Sequence, residues 1–345
     1  MSISIYPLRF AASLHETLWG GQRLQRESWK RLPSPGVAIG ESWETEISNV
    51  CQNGPYTGRT LGELVNELDA ALLGTQATRI FGRRFPLLAK FIDANAKLSV
   101  QVHPDDAFAA TREHGMLGKT ECWYILAAEP GATIVHGFKA TTSRAAVQQA
   151  IEQNYLETLL HEEVVFPGDV IFVPAGTVHA IGGGIMLYEL QEYSDLTYRM
   201  YDYGRLTAAG APRELHIERS LDVAHYDASP AVKVQAVPLA HNAHYDERCL
   251  VACPYFVMRE TTLLSDGYMK CETAESCIIL TSLGAKMLIR YGDALERAET
   301  LARGETIVLP ADLGSYTIEG KGTFVYSYIP APDDDAWTAW KRINT

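Results

Sequence analysis

Short apolar runs punctuated by Gly and Pro dominate the chain, with few long helical stripes. The clearest is Phe166 to Ile185, FPGDVIFVPAGTVHAIGGGI. Val170 to Val173 form an apolar β-type run. Pro174, Ala175 and Gly176 make a turn, because Pro fixes one φ and Gly frees another. Val178 to Ile181 resume the pattern and Gly182 to Gly184 end it. Strand, turn and strand follow, with His179 at the start of the returning strand, its ring placed to point into the mouth of a barrel.

The same alternation predicts strands over PLLAKFID and KLSVQV, ECWYIL, Thr133 to Phe138, Met186 to Gln191 and Asp195 to Tyr203. Helical spacing is confined to a few places. Leu61, Leu64, Val65, Leu68, Leu72 and Leu73 predict one or two helices within residues 61–80. Residues 142–160 read as a helix, in one piece or two, and His216 to Ala224 as a short one. The first 60 residues show turns and aromatic core packing, including Trp19-Gly20-Gly21. From Val232 the chain is β-rich again. There, RGETIVLPADLGSY repeats the opening pattern, with Pro six positions after Gly in both copies (Gly168 to Pro174, Gly304 to Pro310). The second copy has Ser315 where the first has His179. The pattern therefore predicts a duplicated β-unit, one copy with a ligand and one without.

Composition narrows the function. A formal net charge of −12 argues against a nucleic-acid or anionic-membrane partner, and any anionic substrate needs a local basic cluster. No apolar run reaches the ~18 residues of a bilayer span, and the N-terminal residues lack the pattern of a signal peptide. The six cysteines form no C-x-x-C pair, so they read as reduced thiols in a cytoplasmic protein. Cys249 and Cys253 lack a second pair that would support a zinc site.

Candidate chemistry lies in four side chains. Gln101 and His103, two apart on a strand, share a face. Glu121 begins the next strongly β-like run, and His179 sits at the turn. Two imidazoles, a carboxylate and an amide oxygen suit one Zn²⁺ or another divalent first-row ion, with room left for water or substrate. A satisfied structural histidine is the alternative for His179 alone. His136 reads as a core residue, and His15, His114, His161, His216, His225, His241 and His244 as surface residues.

Gly168 to His179 matches the second cupin motif, G-x5-P-x-G-x2-H, although the motif's final Asn is Gly183 here. Together with LSVQVHPDD, GKTECWYIL and SDLTYRMYDYGR, it resembles the type I mannose-6-phosphate isomerases in their short bacterial form. The resemblance covers Pro86 to about Arg205 and the Trp19-Gly20-Gly21 turn. It implies one Zn²⁺ held by Gln101, His103, Glu121 and His179, an active-site Arg199, and family lysines at Lys119 and Lys90. It also implies interconversion of mannose 6-phosphate and fructose 6-phosphate through a cis-enediol. Lys119 is a candidate for proton transfer, Arg199 for stabilising the enediolate, and Lys90 and Arg205 for binding the phosphorylated hexose. Two other readings stay open: a non-catalytic sugar-binding or sensing bicupin, and an iron-dependent oxygenase on the same barrel.

The expected fold is mainly β. A jelly-roll barrel with helical additions occupies residues 1–234, and a smaller, metal-free cupin-like β-domain occupies residues 235–345. A monomer or homodimer is expected.

Overall fold

A computed structural model describes residues 5–32, 36–207, 210–229, 232–273 and 275–344. It is mainly β, with three antiparallel sheets of six, five and nine strands.

The six-stranded sheet is built around Ile185–Glu192, whose eight residues are all buried. Both of its neighbours, Leu87–Ala94 and Glu121–Ala128, pair with it along nearly their whole length. Alternation on this central strand separates two surroundings. Ile185 and Leu187 point inward with Ile92, Trp123 and Ile125, into a cluster that fills a barrel made with the five-stranded sheet. Met186, Tyr188 and Leu190 point outward into the largest core of the molecule, beside Phe91 and Cys122. Both faces being covered explains why this segment is apolar almost throughout.

The five-stranded sheet closes the other side of the barrel. Its middle strands are Val100–Val102, His179–Ile181 and Thr133–Phe138, with Tyr198–Tyr201 and Leu160–Val164 at the edges. Its outer face carries Val100, Val102, Val135, Ala180 and Met200 and packs against the helices Arg144–Glu152 and Ile217–Val223. The predicted Val170–Val173 strand and the His179 return both form, one in each sheet. The turn between them therefore crosses from sheet to sheet.

The helical stretch after residue 60 differs in detail from expectation. Thr60 opens it with a reciprocal capping box to Glu63. It then breaks into three short helices, Leu61–Leu68, Ala70–Leu73 and Thr75–Phe81. The breaks fall at Asp69 and Gly74, whose φ values are +48° and +88°. The helix predicted over 142–160 ends at Glu152, and its last residue begins the strand Leu160–Val164.

Beyond residue 236 the strands Val237–His241, Tyr245–Ala252, Val257–Glu272, Ile278–Ser282, Met287–Tyr291, Arg297–Leu301, Thr306–Leu309 and Ser315–Tyr328 make the nine-stranded sheet. The ninth strand is Leu8–Arg9, which pairs with Thr306–Leu309. Buried polar contacts join this sheet to the outer face of the six-stranded one. Tyr124 donates to Glu260, and the Tyr188 and Thr281 hydroxyls lie 3.1 Å apart. The helix Asp335–Asn344 closes the chain, and Trp340 donates through Nε1 to Leu250 O at 3.1 Å.

Candidate metal centre and active site

Register decides what meets at the mouth of the barrel. His136, His179, Gln101 and Arg199 are successive Cα partners across four neighbouring strands. Directly opposed residues share a face, and His179 points inward, so this row lines the barrel interior. On the facing sheet, Leu88, Gln191, Glu121 and Val173 form one inward row. Trp43, Lys90, Glu189, Trp123 and Ile171 form the next.

His103, Glu121 and His179 converge from the two sheets. Their candidate ligand atoms all lie within 4.8 Å of one another, and all three residues are buried. His179 Nε2 is 3.2 Å from Glu121 Oε1, and His103 Nε2 is 3.6 Å from Glu121 Oε2. Each imidazole is oriented by its other nitrogen. His103 Nδ1 donates to Leu196 O at 2.7 Å, and His179 Nδ1 donates to Thr177 O at 2.9 Å. That leaves both Nε2 lone pairs facing the carboxylate.

Burial is the main electrostatic force on the trio. It pushes His179 down to about 3 and His103 well below its ordinary value, so both rings are neutral. It pushes Glu121 up to about 8, and the neighbouring Glu189 carboxylate adds to the rise. Glu121 Oε1, Glu121 Oε2 and His179 Nε2 are buried without a hydrogen-bond partner. Buried carboxylate and imidazole acceptors without hydrogen-bond partners are what a divalent cation satisfies. The 3.2 and 3.6 Å separations also suit an ion with ~2.0–2.1 Å bonds, which holds tetrahedral ligands roughly 3.3 Å apart. Among the described residues, this is the only such group of three His, Cys, Asp or Glu. Gln101 is half-buried and stands between His179 and Arg199 in the inward row.

The candidate basic residues are placed unequally. Lys119 belongs to the cluster: its Nζ is 3.2 Å from His103 Nε2 and 3.3 Å from Glu121 Oε2. Lys90 lies deeper, 3.3 Å from Glu189 and 3.7 Å from Glu41, beneath the Trp43 ring. Burial lowers its pKa, but Glu189, Glu41 and Glu121 outweigh that and raise it. Conversely, burial would raise Glu189, but Lys90 and Lys119 hold it below its ordinary value.

Arg199 is half-buried, and its NH1 donates to Glu214 O at 2.8 Å. Its Nε is buried without a partner. Burial, and then the Arg213 charge, lower its pKa. Arg205 is not tied to the ligand cluster. It bonds Asp202 Oδ1, at 2.5 Å through NH2, and Lys97 O. Arg213, which the sequence reading passed over, grips the same Asp202 through Nε at 2.8 Å and NH2 at 2.6 Å. Glu189 and Gln191 were also passed over. Their signal was a carboxylate and an amide on the inward parity of an otherwise apolar strand. His15, read as a surface residue, is half-buried, with its ring 4.4 Å from that of Trp43.

Known proteins resemble this chain in sequence and in structure. The family model described as phosphomannose isomerase type I, catalytic domain, matches residues 8–131. The chain is 36% identical to mannose-6-phosphate isomerase ManA of Bacillus subtilis (strain 168), over 94% of its own length and 99% of the relative's. It is also 36% identical to the mannose-6-phosphate isomerase of Streptococcus mutans serotype c, over 93% and 98%. The crystal structure of the mannose 6-phosphate isomerase from Bacillus subtilis superposes with a TM-score of 0.82 at 32% identity, covering 93% of this chain and 99% of that one. By sequence and by structure, the chain belongs to the type I mannose-6-phosphate isomerase family.

Proposed function

We infer that the chain is an aldose–ketose isomerase that interconverts mannose 6-phosphate and fructose 6-phosphate at the His103–Glu121–His179 centre. The observation that carries this reading is the convergence with His103 of buried Glu121 and His179 atoms that have no hydrogen-bond partner, in a chain of this family. We assign Gln101 as the fourth protein ligand and Zn²⁺ as the ion, since imidazole, carboxylate and amide donors suit it. When bound, the ion supplies Lewis-acid stabilisation of the enediolate oxygens, worth several kcal/mol.

Isomerisation removes a proton from carbon next to a carbonyl and returns it to the neighbouring carbon. Lys119 is the group assigned to proton transfer, because its ammonium already touches two of the ligands. Arg199 is always cationic near neutral pH and has an uncommitted buried Nε, so it stabilises the enediolate. Lys90 and Glu189 form the wall of the sugar site. Arg199, Arg205 and Arg213 stand around one carboxylate, Asp202, and supply the local positive charge that a phosphate requires in a chain of net charge −12.

Residues 1–234 act as the catalytic cupin unit and residues 235–345 as a second, metal-free cupin-like unit. The protein works in the cytoplasm. No helix among the described residues is long and apolar enough to cross a membrane.

The test is an anaerobic assay of the Zn²⁺-loaded protein with mannose 6-phosphate, coupled to detection of fructose 6-phosphate. Turnover abolished by EDTA is expected. Tight sugar binding without ketose would favour a binding protein instead, and a requirement for O₂ would favour an oxygenase.

A further inference from the structure

We propose that Gln191 is a positioning residue of the metal centre, locking the segment that orients His103. The proposal rests on the reading of the His103–Glu121–His179 cluster as a metal site. Gln191 is fully buried and lies directly across the ladder from Glu121, on the inward face. Its amide nitrogen donates twice, to Ser194 O at 2.5 Å and to Glu192 O at 3.1 Å. These two bonds fix the amide orientation and pin the chain where it leaves the strand Ile185–Glu192.

From there the bonds run on to the centre. Ser194 Oγ donates to Leu117 O at 3.0 Å and accepts from Leu196 N at 3.4 Å. Leu196 O accepts the Nδ1 proton of His103 at 2.7 Å. That bond selects the His103 tautomer and aims Nε2 at Glu121. The same segment braces the other flank, where Thr120 N donates to Glu192 Oε1 at 2.8 Å and Glu192 N donates to Thr120 O at 3.0 Å. Thr120 sits between Lys119 and the ligand Glu121. Residues 191–196 therefore hold a ligand from each sheet through successive bonds.

An amide is an expensive choice for this position if packing is its only task. Its row neighbour Leu88 is apolar, and Gln191 Oε1 is buried without a partner. An apolar side chain of similar length would avoid that unpaired acceptor. What it would lose is the pair of N–H bonds to Ser194 O and Glu192 O.

The test is Co²⁺ binding to the full chain, followed by its visible absorption and by competition with a chelator. Wild type, Gln191→Met, Ser194→Ala and the double variant are compared, with thermal melts recorded alongside. Each single variant is expected to bind Co²⁺ about 10–100-fold more weakly and to shift the absorption bands. The double variant is expected to lose no more than the weaker single variant, because both act on one segment. Gln191→Met with wild-type affinity and spectrum overturns the proposal, as do losses that simply add. If Gln191→Met fails to fold, Ser194→Ala decides alone, and an unshifted spectrum overturns it. Wild-type Co²⁺ binding without isomerase activity would sink the functional reading and leave this one standing.

Discussion

Residues 168–181 and 304–317 start from one pattern and end in different chemistry. Each has Gly, an apolar strand, Pro, a turn with a left-handed glycine (Gly176 at φ +84°, Gly314 at φ +76°) and a returning strand. In the first, the returning strand opens with His179, fully buried between the Cα partners His136 and Gln101. In the second, it opens with Ser315, exposed and opposite Glu272. The turn supplies a position at a barrel rim. Neighbouring strands decide what that position meets, and among the described residues only the first copy has Glu121 and His103 within reach.

The largest expected effect tests that contrast directly. His179→Ala should lose bound metal, reducing the stoichiometry measured by elemental analysis to near zero, while Ser315→His gains none. Retained metal in the first variant would remove His179 from the ligand set. Arg199→Ala should keep the metal and lose turnover, by roughly 10²-fold or more if the guanidinium contacts the transition state. Wild-type turnover in that variant would make Arg199 a scaffold for Glu214 and His216, which it already contacts.

The two leading glycines sharpen the comparison at the level of stability. Both have positive φ, Gly168 at +95° and Gly304 at +75°. Around Gly168 there is open space, whereas a Cβ on Gly304 would fall 2.1 Å from Trp29 O. Gly168→Ala should therefore cost only the backbone term, about 1–2 kcal/mol, by denaturant unfolding. Gly304→Ala should cost more, because the loop around Trp29 and Lys30 must move, and Lys30 bridges Glu44 at 2.7 Å and also bonds Gly304 O. Equal losses would contradict this packing argument.

The last effect concerns Glu192, at the end of the central strand Ile185–Glu192. Burial, with Asp106 adding, pushes Glu192 up to about 8. The folded state thus holds this proton more tightly than the unfolded chain, with its ordinary carboxyl. Its contribution is fully present below about pH 4.5 and is lost as pH rises through about 8. Glu192→Gln should flatten the fall in Tm between pH 5 and 8.5, and an unchanged slope would place the titration elsewhere.

Much of this was legible because burial and chemistry share a period. Val170 to His179 announces a strand, a turn and a returning strand in one line, and the shared face of Gln101 and His103 follows from their spacing alone. Asp69 and Gly74 hid their helix breaks because the leucine spacing runs across them undisturbed. Arg297–Leu301 escaped because it is a sheet-edge strand with mostly exposed residues. The helix Asp335–Asn344 escaped because it buries only Ala336 and Trp340. Lys90 and Glu189 are 99 positions apart and meet only through register. No local pattern announces an ion pair of that kind, nor the sharing of Asp202 by Arg205 and Arg213.

The pairing of Leu8–Arg9 with Thr306–Leu309 has a consequence for synthesis. At the ribosome's ~5–20 residues per second, the opening strand waits on the order of 15–60 s for its partner to emerge. The two sheets of the barrel can pair once Tyr198–Tyr201 has emerged, but Leu8–Arg9 keeps one unpaired edge, the kind of template that invites association between nascent chains. The contact between Leu8–Arg9 and Thr306–Leu309 is therefore among the last to form, long after the candidate ligands have been made.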